Sequence, residues 1–169
     1  GYRARNARQA LEASLGAEGM AIAAGGGQWR MSLSGWARGA SVQPAGTLAT
    51  KASGNRVEVE RGGVTEWWVN GPVGLQQGWT VASRPFPGDE GALELVMRQS
   101  GTLRARGGAE RSLEVADAAG RVVLRYGGLT AFDATGRELP ARFEVSLGEV
   151  RVRVEDAGAV YPVLVDPIA

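Results

Sequence analysis

Lys51 and Ser53, in the stretch Thr50-Lys51-Ala52-Ser53, are the ingredients of a Ser-Lys dyad, in which a deprotonated amine activates a serine for acyl transfer. Such a lysine needs burial or a neighbouring cation to lower its pKa. The surrounding residues are polar and bounded by glycine, so the pair reads as solvated chain. A second set, Glu58, Glu60, Glu66, Asp156 and Asp166, could supply the two carboxylates of a glycosidase. They fall on alternating positions of strands and in turns, where solvated faces put acids anyway. A third set is aromatic. Trp29, Trp36, Trp67, Trp68 and Trp79 could stack against sugar rings on a flat sheet, although core packing accounts for tryptophan equally well.

What is missing narrows the chemistry further. The 169 residues contain neither histidine nor cysteine. Relays of the Ser-His-Asp and Cys-His type are therefore excluded, and a metal could be bound only through oxygen, which points to calcium or magnesium rather than zinc or iron. Two segments, Asp117-Ala-Ala-Gly120 and Asp133-Ala-Thr-Gly136, superficially resemble calcium loops. Neither has the six to eight oxygens such a site requires, and both fit turns in which Asp bonds its own backbone. Gly25-Gly26-Gly27 lacks the Gly-Lys-Ser/Thr ending of a phosphate loop and reads as a connection between strands. No catalytic, cofactor or metal residue is expected.

Net charge is +1, with acids and bases interleaved along the chain and 44% of residues apolar. That supplies the core of one globular domain and leaves no basic patch for nucleic acid. No segment is apolar enough for a helical membrane span. A first residue of Gly rather than Met fits a processed or excised chain, from which any secretion signal would already be gone.

The elements that position these residues differ along the chain. Ala4, Ala7, Leu11 and Leu15 recur at helical spacing, and Gly16 and Gly19 follow, which predicts a short N-terminal α-helix within residues 1–19. Residues 20–169 switch to short alternating segments separated by glycine turns, the pattern of an antiparallel β-sandwich-like domain. In Glu149-Val-Arg-Val-Arg-Val-Glu155, the valines 150, 152 and 154 share one face and the charges the other. Asn55 to Asn70 reads as a hairpin. A two-residue Gly62-Gly63 loop would set Val59 against Glu66 and bury the carboxylate, whereas a three-residue loop, Gly62 to Val64, pairs Val59 with Trp67 and Val57 with Val69. The second register is favoured; it turns Trp68 outward beside Glu58. Trp68 and Trp36 are then the candidate partner or glycan contacts. The segment Val163 to Val165 reads as a last strand ended by Asp166-Pro167.

Several stretches occur in a suggestive order: Asn55-Arg-Val-Glu58, Val64-Thr-Glu-Trp-Trp-Val-Asn70, Gly74-Leu-Gln-Gln-Gly-Trp-Thr-Val81, Leu124-Arg-Tyr-Gly-Gly-Leu129, Asp133-Ala-Thr-Gly-Arg-Glu-Leu-Pro140 and Tyr161-Pro-Val-Leu-Val-Asp-Pro167. In this order and spacing the chain resembles the N-terminal domain of large bacterial secreted or surface proteins in which FG-GAP (integrin-like) repeats follow. It is more distantly similar to the domain preceding SBBP-type repeats. The resemblance implies a non-enzymatic module in an extracellular or cell-envelope setting that caps or presents the repeats, with a role in adhesion or assembly. Its expected partner is the downstream β-repeat domain or another surface protein. The alternative is a carbohydrate-binding β-sandwich with glycan as partner.

Overall fold

The computed structural model describes residues 1–7 and 10–168, with the backbone alone for 167 and 168. The chain is built of strands. In order they are β1 (Tyr2–Asn6), β2 (Leu11–Gly16), β3 (Gly19–Ala24), β4 (Gly27–Arg38), β5 (Ser41–Pro44), β6 (Ala49–Ser53), β7 (Arg56–Glu60), β8 (Val64–Gly71), β9 (Gly74–Val81), β10 (Leu93–Gly101), β11 (Arg104–Ala109), β12 (Ser112–Ala116), β13 (Val122–Phe132), β14 (Ala141–Ser146), β15 (Glu149–Val154) and β16 (Val163–Ile168).

They form two antiparallel eight-stranded sheets in a sandwich-like arrangement, as the alternation from residue 20 onward implies. Sheet I runs β1-β2-β3-β4-β10-β15-β14, with β5 also paired to β4. Sheet II runs β11-β12-β13-β16-β9-β8-β7-β6. One apolar core joins them, with Ile22, Trp29, Leu95 and Val152 from sheet I and Val59, Trp68, Trp79 and Val165 from sheet II. Val150, Val152 and Val154 all point inward and are fully buried.

The N-terminal helix is not formed, because residues 2–6 and 11–16 pair as strands of sheet I. Leu11 and Leu15 lie four apart, a spacing that satisfies a helical face and, being even, also one face of a strand. Ala13 between them is buried while Glu12 and Ser14 are exposed, so the period is two. Ladder hydrogen bonds on both sides of β2 outweigh the helix propensity of its alanine and leucines. The final strand is likewise longer than the sequence suggests. β16 continues past Asp166 to Ile168, which faces Gln76 on one side and Gly127 on the other, across an irregular stretch of the β13 register.

The hairpin of residues 55–70 takes the register that sequence reasoning rejects. Val59 faces Glu66, Val57 faces Trp68 and Glu58 faces Trp67. Gly62 and Gly63, at φ of +90° and +120°, make the two-residue turn that this register needs. The adjacent tryptophans do point to opposite faces, but Trp68 is the inner one and Trp67 the outer. The apparent cost, a buried carboxylate, is met by a polar network that only the folded chain assembles.

Candidate functional site

That network starts at Glu66, fully buried on the inner face of β8. Its Oε1 accepts from Arg61 Nη2 at 2.9 Å, and its Oε2 accepts from Gln77 Nε2 and Trp79 Nε1, both at 3.0 Å. The Tyr126 hydroxyl donates to Gln77 Oε1 at 2.6 Å. Arg61 Nη1 reaches across to sheet I, donating to the Ala17 carbonyl at 2.7 Å and to Thr47 Oγ1 at 2.8 Å. Burial pushes the Glu66 carboxyl above its ordinary range, against the pull of the Arg61 charge and the three donors. Burial, helped by the Glu66 and Asp166 charges, pushes the Tyr126 hydroxyl well up. The arrangement holds the two sheets together.

A second buried cluster closes one end of the sandwich. Arg38, the last residue of β4, is fully buried and grips Asp156 with two parallel bonds of 2.7 and 2.8 Å. It also donates to the carbonyls of Pro85 at 3.1 Å and Gly91 at 2.8 Å, so one guanidinium ties three segments. Arg84 and the Tyr161 hydroxyl donate to the same carboxylate. Burial alone would raise the Asp156 pKa, but the Arg38 and Tyr161 hydrogen bonds and the two arginine charges outweigh it and hold it low. Burial and the bond to Asp156 push the Tyr161 hydroxyl up.

The two Asp-Gly segments are turns of one design. Asp117 Oδ1 accepts from the backbone of Ala119 and Arg121, at 3.0 and 2.9 Å. Asp133 Oδ1 accepts from Thr135 at 2.9 Å and Arg137 at 3.1 Å, and its other oxygen accepts from Val160 N at 3.1 Å. The Thr135 hydroxyl and these amides hold the Asp133 carboxyl far below its usual range. Among the described residues no three acidic side chains gather where they could hold a metal ion.

The residues with chemical promise are dispersed. Lys51 and Ser53 lie on β6, every residue of which is exposed. Glu58 is bound by Arg56 at 2.7 Å, Glu60 by the Thr65 hydroxyl at 2.7 Å and Asp166 by Gln76 at 2.8 and 2.9 Å. With Glu66 and Asp156 locked in separate networks, the five carboxylates do not form an acid/base pair. The tryptophan contacts are also relocated. Trp68 is 0% and Trp36 4% exposed, so neither presents a ring to a partner or a sugar. Trp36 enters the core because a bulge in β4, opposite Val96 and Met97, lets Leu33 and Trp36 both face inward. Trp67, on the outer face of sheet II, is still only 5% exposed. It lies over Gly78, with the Arg56 guanidinium 4.6 Å from its ring centroid.

A concave surface lies elsewhere, on the outer face of β1 to β4. Two neighbouring depressions of about 380 and 520 Å³ share Ser14, Ala21 and Gln28 and form one trough. One row across the sheet reads Arg3, Ser14, Ala21, Arg30, Ser100; the next reads Arg5, Glu12, Ala23, Gln28. Small side chains on β2 and β3 make the floor, and arginines on β1 and β4 make the walls. Arg98 on β10 extends the second wall, facing Ser32 in the next row. Arg5 is paired with Glu12 at 2.6 Å, and Glu149, opposite Arg98, is already bound by Arg151 at 2.9 Å. Arg3, Arg30 and Arg98 have no hydrogen-bond or ion-pair partner among the described residues. Sequence reasoning missed these residues. The signal was Arg3-Ala4-Arg5 followed by Glu12-Ala13-Ser14, a period of two hidden by reading the segment as a helix.

No family model, curated protein or solved structure matches this chain.

Proposed function

We propose that the chain is a non-enzymatic structural and interaction module of a bacterial secreted or cell-envelope protein, of the kind that stands ahead of β-repeats, and that its contact surface is the trough face of sheet I. One observation carries this reading. The buried acids are consumed in holding the sheets and turns together, whereas Arg3 and Arg30, which line a concave surface, and Arg98 beside it have no partner among the described residues. Guanidinium groups left free in water at such a surface suit an anionic partner, whether a repeat domain, another surface protein or a glycan. The carbohydrate alternative survives in changed form, since buried tryptophans cannot stack on sugars and the trough would have to hold the ligand. No helix among the described residues is long and apolar enough to cross a membrane.

Two measurements test this reading. In cells producing the whole protein, an antibody to this chain should label intact cells; signal only after lysis refutes the envelope placement. Incubation of the chain with a panel of glycans and ester substrates should yield no product, and turnover of any of them would replace the module reading with an enzyme.

A further inference from the structure

We infer that the trough on β1 to β4 is a binding site for an anionic polysaccharide strand, one bearing carboxylate or sulfate groups. The inference rests on the interaction-module reading and names its ligand class. The floor of Ser14, Ala21 and Ala23 runs along the strands with the unpaired Arg3 on one side, on β1, and the unpaired Arg30 on the other, on β4. Arg3 on β1 and Arg30 on β4 are three strand spacings apart, about 14 Å between backbones. Their long side chains can close on an elongated ligand from both sides. Planar guanidinium forks match carboxylate and sulfate oxygens, and the Ser14 hydroxyl and Gln28 amide, both lining the trough, are suited to sugar hydroxyls.

The same surface argues against other polymers. The floor strands β2 and β3 are paired on both sides, so an acidic peptide could add as a further strand only at the outer edge of β1, outside the trough. No tryptophan, tyrosine or phenylalanine lines either depression, which removes the stacking platform used by single-stranded nucleic acid and by neutral sugars. Anionic groups along the ligand supply what aromatic rings do not. Glu12 does not oppose this, since its charge is matched by Arg5; Glu18, at the β2–β3 turn, marks the end of the trough where anionic groups are disfavoured.

Calorimetric titration of the whole chain tests the assignment, with oligogalacturonate, dextran sulfate, neutral malto-oligosaccharide of matched length and poly-L-glutamate as probes. Oligogalacturonate or dextran sulfate should bind saturably and more weakly as salt rises, because exposed charges are screened. The Arg3→Ser/Arg30→Ser variant should bind at least about tenfold more weakly, the scale of losing charge-assisted hydrogen bonds. Arg142→Ser, which removes an arginine already paired with Glu144 on the same sheet, should bind like the native chain. All three positions are exposed, and unchanged thermal unfolding verifies the fold. Equal binding of the neutral oligosaccharide, tighter binding of poly-L-glutamate, or native affinity in the double variant overturns the glycan assignment. Silence to all four probes also overturns it, while leaving the module reading to be judged by cell-surface labelling.

Discussion

Replacing Glu66 by Gln should be among the most damaging isosteric changes in this chain. The carboxylate receives three donors and gives none: Arg61 on one oxygen, Gln77 and Trp79 on the other. An amide keeps one acceptor oxygen and puts an NH2 group against either the guanidinium or the pair of donors. Arg61, 5% exposed, then keeps its charge without a counter-ion. Removing one partner of a buried pair costs about 3–5 kcal/mol. With a urea m-value of roughly 3 kcal/mol/M, a loss of about 4 kcal/mol moves the midpoint by about 1.3 M. The assay is urea unfolding followed by tryptophan emission. Arg61→Met/Glu66→Leu, which removes both charges, should lose less than the two single variants summed, by at least about 1 kcal/mol. A Glu66→Gln chain within about 1 kcal/mol of native would refute the reasoning.

Other perturbations test separate parts of the structure. Asp156→Ala strands the wholly buried Arg38 on carbonyls alone and should cost about 3–5 kcal/mol, read from thermal unfolding. In Gly78→Ala the new methyl would lie 2.0 Å from Trp67 Cζ2, so the indole must lift off the sheet. A loss of about 1–3 kcal/mol with red-shifted emission is expected, and unchanged emission would show that the ring is not seated there. Asp133 and Asp156 titrate below their ordinary 3.8, so the stability they confer is present above that value and is lost as pH falls through their folded-state pKa values. Acid unfolding of Asp133→Asn should accordingly fall less steeply below pH 3.8 than that of the native chain.

Much of the sheet structure was legible because strand faces are written locally. The valines of β15 and the two Asp turns depend on residues within a few positions of one another, and the sequence displays them. β2 was ambiguous because residues four apart satisfy both periods, and its ladder partners decide between them. The hairpin register failed for a different reason. Rejecting a buried Glu66 was sound for an isolated hairpin, but Arg61 is positioned by the Gly62-Gly63 turn, and Gln77 and Trp79 arrive from the next strand. One shifted residue then exchanged the roles of Trp67 and Trp68. The trough was illegible because its walls, Arg3 and Arg30, are neighbours only after three strands pair.

The exposed strand β6 carries Lys51, the only lysine in the sequence, at its midpoint. β6 ends its sheet, so its outer edge is open to another strand. If two molecules met there antiparallel with all five residues matched, Ala49 would face Ser53 and Thr50 would face Ala52. Lys51 would then face its own copy. Like charges directly opposite each other repel, so the self-complementary register is the one this sequence penalises. A single ammonium group thereby works against edge-to-edge pairing of two copies through β6, and neutralising it by acetylation would remove that protection.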